Sequence, residues 1–293
     1  MKYKVKHTTH YQYSEAVSLC QNQARLKPIS NQRQTCLSHC IRTQPEADYL
    51  DYFIDYFGNQ ATVFEISTQH DELIVTAESE VEIFEFRERQ LFLSEEAWES
   101  VALKIQLADT PELLSTIEFA QASEFTPVSA DIHAYACQSF LPGRALISAT
   151  KDLMARIFND FQYESGFTTI STPLSEVFAH KKGVCQDFAH FALACLRSLG
   201  IPGRYVSGYI ETLPPEGQEK LEGADATHAW FAVYVPDLGW VDFDPTNNVM
   251  PETQHITLAV GRDFADVTPL KGIVFGGGMH QLSVAVDMNR IEE

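Results

Sequence analysis

The sequence predicts an α+β protein: an N-terminal antiparallel β-sandwich over residues 1–92, then, over 93–293, a domain in which a helix packs on an antiparallel sheet. Three observations carry this. Up to about residue 90, apolar residues alternate with polar ones in short runs, the period of half-buried strands. From about residue 95 the period lengthens to that of amphipathic helices. Later, a long helix with an apolar stripe is followed by a strand–turn–strand pattern.

In chain order, Tyr3, Val5 and His7 alternate with lysines, and Tyr49 to Phe57 is rich in Tyr, Phe and Ile. Gln60 to Ile66 repeats that pattern after a Gly58-Asn59 turn, which predicts a hairpin. Leu73, Val75 and Ala77 lead into Val81, Ile83 and Phe84, and strands at this spacing suit a sandwich. Glu95 to Leu107 and Thr110 to Phe125 carry helix formers, with Thr110-Pro111-Glu112 as a start signal. Ala149 to Phe161 and Ser175 to His180 are further helix candidates, and the glycines at 276–278 separate two late strands.

With 45% apolar and 21% charged residues the chain has a globular composition, which excludes disorder. The formal net charge is −19. Residues 1–95 hold 9 basic and 14 acidic side chains, leaving 12 and 26 for 96–293. Such a surface repels phosphate backbones and anionic lipid, so neither nucleic acid nor membrane is an expected partner. The first residues alternate rather than forming an apolar signal core, and no apolar run reaches membrane-spanning length. Six cysteines (20, 36, 40, 137, 185, 195) are too few for a disulfide scaffold, so a reduced, cytoplasmic protein is expected.

The most informative cysteine is Cys185. In the segment 182–202, Phe188, Ala189, Ala192, Leu196 and Leu199 recur at helical spacing, with Gly200 and Pro202 as the stop. Gly183 precedes the start, so Cys185 falls in the first turn, where free backbone N–H groups and the helix dipole favour a thiolate. Cys195, deeper in the same helix, reads as packing. A reactive cysteine needs a base. Thr227 to Val235 is a buried strand by composition, Pro236 to Gly239 is a turn, and Trp240 to Thr246 is the returning strand. Alternation puts His228 with Trp230, Ala232 and Tyr234, and Asp242 with Asp244, but does not choose between the two aspartates. Register matters. A four-residue loop pairs Val235 with Trp240 and turns Asp244 away from His228; a longer loop, or a bulge, pairs Trp230 with Asp244 and brings the two side chains to one face. The second register is expected.

These blocks, Gly183-Val-Cys185-Gln-Asp-Phe-Ala-His, Gly200-Ile-Pro-Gly-Arg204, His228-Ala-Trp230 and Gly239-Trp-Val-Asp-Phe-Asp244-Pro-Thr, resemble the transglutaminase-like superfamily, in particular its bacterial branch of cysteine-protease-like members. The likeness extends to Phe161-Gln-Tyr163, Thr172-Pro173 and Gly261 to Val267, and less specifically to residues 1–90. It implies a papain-like, transglutaminase-core domain with Cys185 as nucleophile, His228 as base and Asp244 as orienting acid. It further implies acyl transfer on an amide bond, hydrolytic by expectation (cysteine protease or amidase), through a thioester. Amine transfer and a non-catalytic binding module of the same fold are the alternatives. The Cys185 N–H is one oxyanion donor, and Tyr163 is the candidate second, a core tyrosine being the other reading. Asp187 complements the helix dipole.

No cofactor or metal is expected. His7 and His10 sit at an odd offset on a strand and point apart; Cys36, His39 and Cys40 lack a second ligand pair. Lys181 and Lys182 read as solvated surface. The expected partner is a peptide, protein or small amide, cationic because the acidic body favours positive substrates.

Overall fold

The computed structural model describes residues 1–84, 96–212 and 225–291. The boundary expected at 92/93 and the first residue of the helix expected from Glu95 lie outside them. The strands are β1 (Lys2–Ala24), β2 (Gln34–Gln44), β3 (Tyr49–Ile54), β4 (Gln60–Ile66), β5 (His70–Ile83), β6 (Gln162–Tyr163), β7 (Lys182–Gly183), β8 (Gly203–Ile210), β9 (Ala226–Val235), β10 (Gly239–Phe243), β11 (His255–Gly261), β12 (Leu270–Gly276) and β13 (His280–Ile291). The helices are α1 (Trp98–Gln106), α2 (Pro111–Leu114), α3 (Ala130–Cys137), α4 (Leu146–Asp160), α5 (Leu174–His180), α6 (Cys185–Ser198) and α7 (Phe264–Val267).

The N-terminal strands form one antiparallel sheet in the order β2-β5-β1-β4-β3. β1 is its axis. Its first half lies between β5 and β13 and its second half between β4 and β12. The registers with β5 and β12 shift between residues 12 and 19, and such irregularities bend a strand. The sheet therefore curls over its own face as one continuous layer. Tyr13, Val17 and Cys20 meet Phe64, Ile66, Leu73 and Val75 inside the curl, while Tyr3 and Val5 join the main core with the helices. β12 and β13, grouped by sequence with the second domain, pair with β1.

Helix α1 starts at Trp98, and the helix expected over 110–125 is instead the single turn of α2 followed by a 3₁₀ turn at Ile117–Ala120. Ser115 and Thr116 donate their hydroxyls to the carbonyls of Glu112 and Leu113 at 2.6 and 2.7 Å, competing with the helical backbone. Helix α3, unforeseen in the sequence, is capped by Ser129, whose hydroxyl accepts the Ile132 N–H.

The second sheet is antiparallel in the order β10-β9-β8-β11, and α6 packs across β8 and β9. The edge strand β11 is covered by the N-terminal sheet, whose side chains stand in for a further strand. Gln34 donates to the Thr257 carbonyl and accepts the Thr257 N–H, each at 2.8 Å; Asn59 does the same at Val260, also at 2.8 Å. Both amides are buried. Replacing Asn59 by leucine leaves the Val260 N–H and carbonyl without their side-chain partner, an expected loss of about 2–4 kcal/mol measurable by urea unfolding.

Candidate active site

The start of α6 is built by its own first turn. Asp187 reaches back and accepts the N–H of Val184 at 2.8 Å and the hydroxyl of Thr168 at 2.6 Å. Burial raises its carboxyl above the ordinary range, while those two hydrogen bonds oppose the rise. Gly183 lies so close that a Cβ there would stand 2.7 Å from Asp187 Oδ2, which is why the position before the helix tolerates no side chain. Cys185 is left half-buried as the first helical residue, its N–H among the helix's free donors.

The β9–β10 hairpin sets the acid. Gly239 pairs with Val235 and Phe243 with Phe231, so the register continues to Trp230 and Asp244 as expected. It arises differently, from a three-residue connection rather than a lengthened one. Asp237 and Gly239, with φ of 66° and 79°, supply the left-handed backbone that so short a turn requires. Asp244 lies just past β10, fully buried, and His228 Nε2 stands 2.8 Å from its Oδ2.

Asp244 is a crowded acceptor. Its Oδ1 takes the N–H groups of Thr246 and Asn247 at 2.9 and 3.2 Å. Its Oδ2 faces His228, His255 Nε2 at 3.0 Å and Asn247 Nδ2 at 2.7 Å. Burial would raise this carboxyl, but the hydrogen bonds from His228 and His255 hold it well below the usual carboxylate range. Burial alone would lower His228; the hydrogen bonds to Asp244 and to Cys185 outweigh it and raise the imidazole to about 10. With Nε2 on Asp244, Nδ1 is the nitrogen left for the thiol. A cysteine, an imidazole and a carboxylate thus stand in series, an arrangement that can create a nucleophilic thiolate and return a proton to a leaving group.

His228, Asp244 and His255 also offer three donor atoms within 4.8 Å of one another. Their geometry does not suit a metal. Both Nε2 atoms are aimed at Oδ2 rather than at a shared point, and amide and backbone donors occupy the remaining carboxylate positions.

Tyr163 sits on β6 opposite Gly183, two residues before the cysteine, with its side chain about half exposed. Burial, then the nearby Cys185 and Asp187, raise its hydroxyl, which keeps it a donor. Asp242 differs from Asp244 in its partner: Arg33 donates to it at 3.2 Å. His7 is buried against Tyr209 and Thr9 while His10 pairs with Glu72. Cys36, His39 and Cys40 each bond elsewhere, to Ser38, Ser79 and Glu78. Cys195 is fully buried and its thiol is raised by that burial. Lys181, read as solvated surface, instead lies half-buried with Nζ 3.6 Å from the centre of the Phe178 ring and 4.5 Å from that of Phe161; the aromatic faces attract the ammonium. Lys182 pairs with Glu164 at 2.7 Å. Sequence reasoning missed His255 and Asn247. A histidine heading an apolar strand is the one signal the former offers.

Two family models match most of the chain. Residues 3–82 match the bacterial transglutaminase-like N-terminal region, and 139–245, which contain Cys185, His228 and Asp244, match the transglutaminase-like superfamily. An uncharacterised protein of Mycobacterium tuberculosis, Rv2569c, is 37% identical over 98% of this chain and 92% of its own length. A protein-glutamine gamma-glutamyltransferase of Pseudomonas aeruginosa is 32% identical over 108 residues, 34% of this chain and 16% of its own. A Cytophaga hutchinsonii crystal structure titled a "Putative Cysteine Protease" shares the fold, with a TM-score of 0.76 and 22% identity, covering 100% of this chain and 92% of that one. Among the described residues no helix is long and apolar enough to cross a membrane. Near full-length likeness to relatives, and a core match that spans the cysteine, histidine and aspartate, make this chain a member of the transglutaminase-like superfamily.

Proposed function

We propose that the protein is a thiol-dependent acyl-transfer enzyme that cleaves amide bonds. The observation that carries this reading is the His228 ring bridging Cys185 and Asp244. His228 Nδ1 takes the thiol proton, and the thiolate adds to an amide carbonyl. The Cys185 N–H and the Tyr163 hydroxyl donate to the oxyanion, His228 protonates the departing amine, and a thioester remains. Water attacks the thioester, His228 accepts its proton, and the acid leaves while the thiol is restored. Resolution by an amine is the second reading, favoured by the 32% identity to a protein-glutamine gamma-glutamyltransferase.

Incubation with glutamine-containing peptides, following ammonia release and product mass with and without a primary amine, tests both. Hydrolysis predicts a glutamate product or a cut peptide whatever the amine; transfer predicts an amine adduct. No acyl product from any peptide overturns the proposal. The −19 charge favours cationic substrates, so basic peptides are expected to turn over faster than acidic ones at low salt, with the difference shrinking as salt rises.

A further inference from the structure

β11 brings a second histidine to the same carboxylate. His255 is buried, its Nε2 lies 3.0 Å from Asp244 Oδ2, and its Nδ1 has no partner among the described residues. The ring packs edge-on against Trp230, 5.2 Å between centroids, and its centroid is 5.9 Å from that of His228. A buried Nδ1–H without an acceptor is costly, so the ring is held as the Nε2–H tautomer and donates to Asp244. Asp244 Oδ2 is therefore shared between two imidazoles, one of which touches the nucleophile.

We infer that His255 is a positioning residue: by taking part of the Asp244 charge and holding Oδ2 in place, it limits how strongly His228 is bound as an imidazolium. The inference rests on the Cys185–His228–Asp244 reading above. A His228 proton held too tightly is not returned to the leaving amine, so an acceptor divided between two donors keeps that proton transferable. The ionisable groups around the cluster are Cys185 from α6, His228 from β9, and Asp242 and Asp244 from β10 and the turn after it. Arg33 donates to Asp242, and the Asp242 charge acts on the half-buried Arg204 guanidinium without a hydrogen bond between them. The strand that presents His255 is the one clamped by Gln34 and Asn59, so the N-terminal sheet contributes to this position.

The alternative is that His255 only fills space beside Trp230. Phenylalanine separates the two, since it keeps the ring and removes the donor, whereas glutamine keeps an Nε2 donor. The test is the pH dependence of Cys185 carboxymethylation by iodoacetate, whose negative charge favours a thiolate beside an imidazolium. The label is mapped by peptide mass, because the exposed Cys137 also has a histidine partner, with His133 Nε2 at 3.4 Å. The upper limb of the profile follows the loss of the His228 proton. In His255→Phe it is expected to move up by about one pH unit, as the hydrogen bond lost to a charged acceptor implies, and His255→Gln is expected to follow the wild type. Thermal melting of each variant identifies any that fail to fold, and His255→Leu then replaces phenylalanine. An unshifted upper limb in the folded phenylalanine or leucine variant overturns the role of His255 while leaving the bridging base intact. A wild-type profile that rises with pH like that of a lone thiol, with no upper limb, overturns both.

Discussion

Alanine at Cys185 is expected to remove covalent labelling of the α6 segment and to lower amide turnover by about 10⁵–10⁶-fold, the scale on which loss of an activated nucleophile acts. The fold is expected to survive. Cys185 is half-buried at the first position of a helix whose stability rests on the apolar face from Phe188 to Leu196, and alanine is a strong helix former. Intact-mass measurement after incubation with an activated amide reads the outcome directly: a thioester adduct in the wild type and none in Cys185→Ala. An adduct that persists on the variant at another cysteine would move the nucleophile away from α6. Cys20 and Cys195 are fully buried, which leaves Cys36, Cys40 and Cys137 as the thiols to map.

The second large effect is expected at Asp244. Asparagine keeps Oδ1 available to the Thr246 and Asn247 N–H groups but turns an amide N–H₂ toward three donors: His228, His255 and the Asn247 side chain. To relieve this, His228 must accept at Nε2 and carry its proton on Nδ1, facing the thiol it should deprotonate. Turnover is expected to fall about 10³–10⁴-fold, as it does when an orienting acid enforces the wrong tautomer. Stability changes with it, and its sign follows from the two shifts. The raised His228, ordinarily 6.5 and here about 10, contributes stability that is complete below 6.5 and lost as pH rises to about 10. The depressed Asp244 contributes stability that is complete above its ordinary 3.8 and lost as pH falls through its lowered value. The wild type should therefore exceed Asp244→Asn most between about pH 4 and 6.5, with the gap narrowing toward pH 10. Urea unfolding across that range checks it, and a gap constant with pH would mean that the His228–Asp244 coupling is absent in solution.

Much of this site is legible in the sequence because its signals are local. Gly183 before the helix, the apolar stripe behind Cys185, and the alternation that faces His228 and Trp230 the same way all arise within a few residues. Where local signals compete, the reading slips: the helix expected over 110–125 breaks because Ser115 and Thr116 bond back to the preceding turn. Lys181 reads as surface because only Phe178 lies near it in sequence, and nothing local announces that Tyr135, Phe161 and Phe191 also converge beneath its ammonium.

The sequence by itself determined the α+β class, the helix start that exposes Cys185, the strand that carries His228, and the return of the chain to an aspartate. Alternation leaves Asp242 and Asp244 open and the resemblance points to Asp244; the tertiary structure supplies the physical reason. Asp242 and Asp244 share a face, and the hairpin register places Asp242 opposite Ala232 and carries Asp244 to the level of Trp230, beside His228, while Arg33, more than 200 positions away, takes Asp242 as its partner. The tertiary structure alone also brought His255 to Asp244, joined β12 and β13 to the first strand, and covered the edge of β11 with Gln34 and Asn59. The physical reason is range. Periodicity and capping record energies between neighbours along the chain, whereas a shared carboxylate or a covered sheet edge is settled by buried polar groups that find partners wherever the packing brings them.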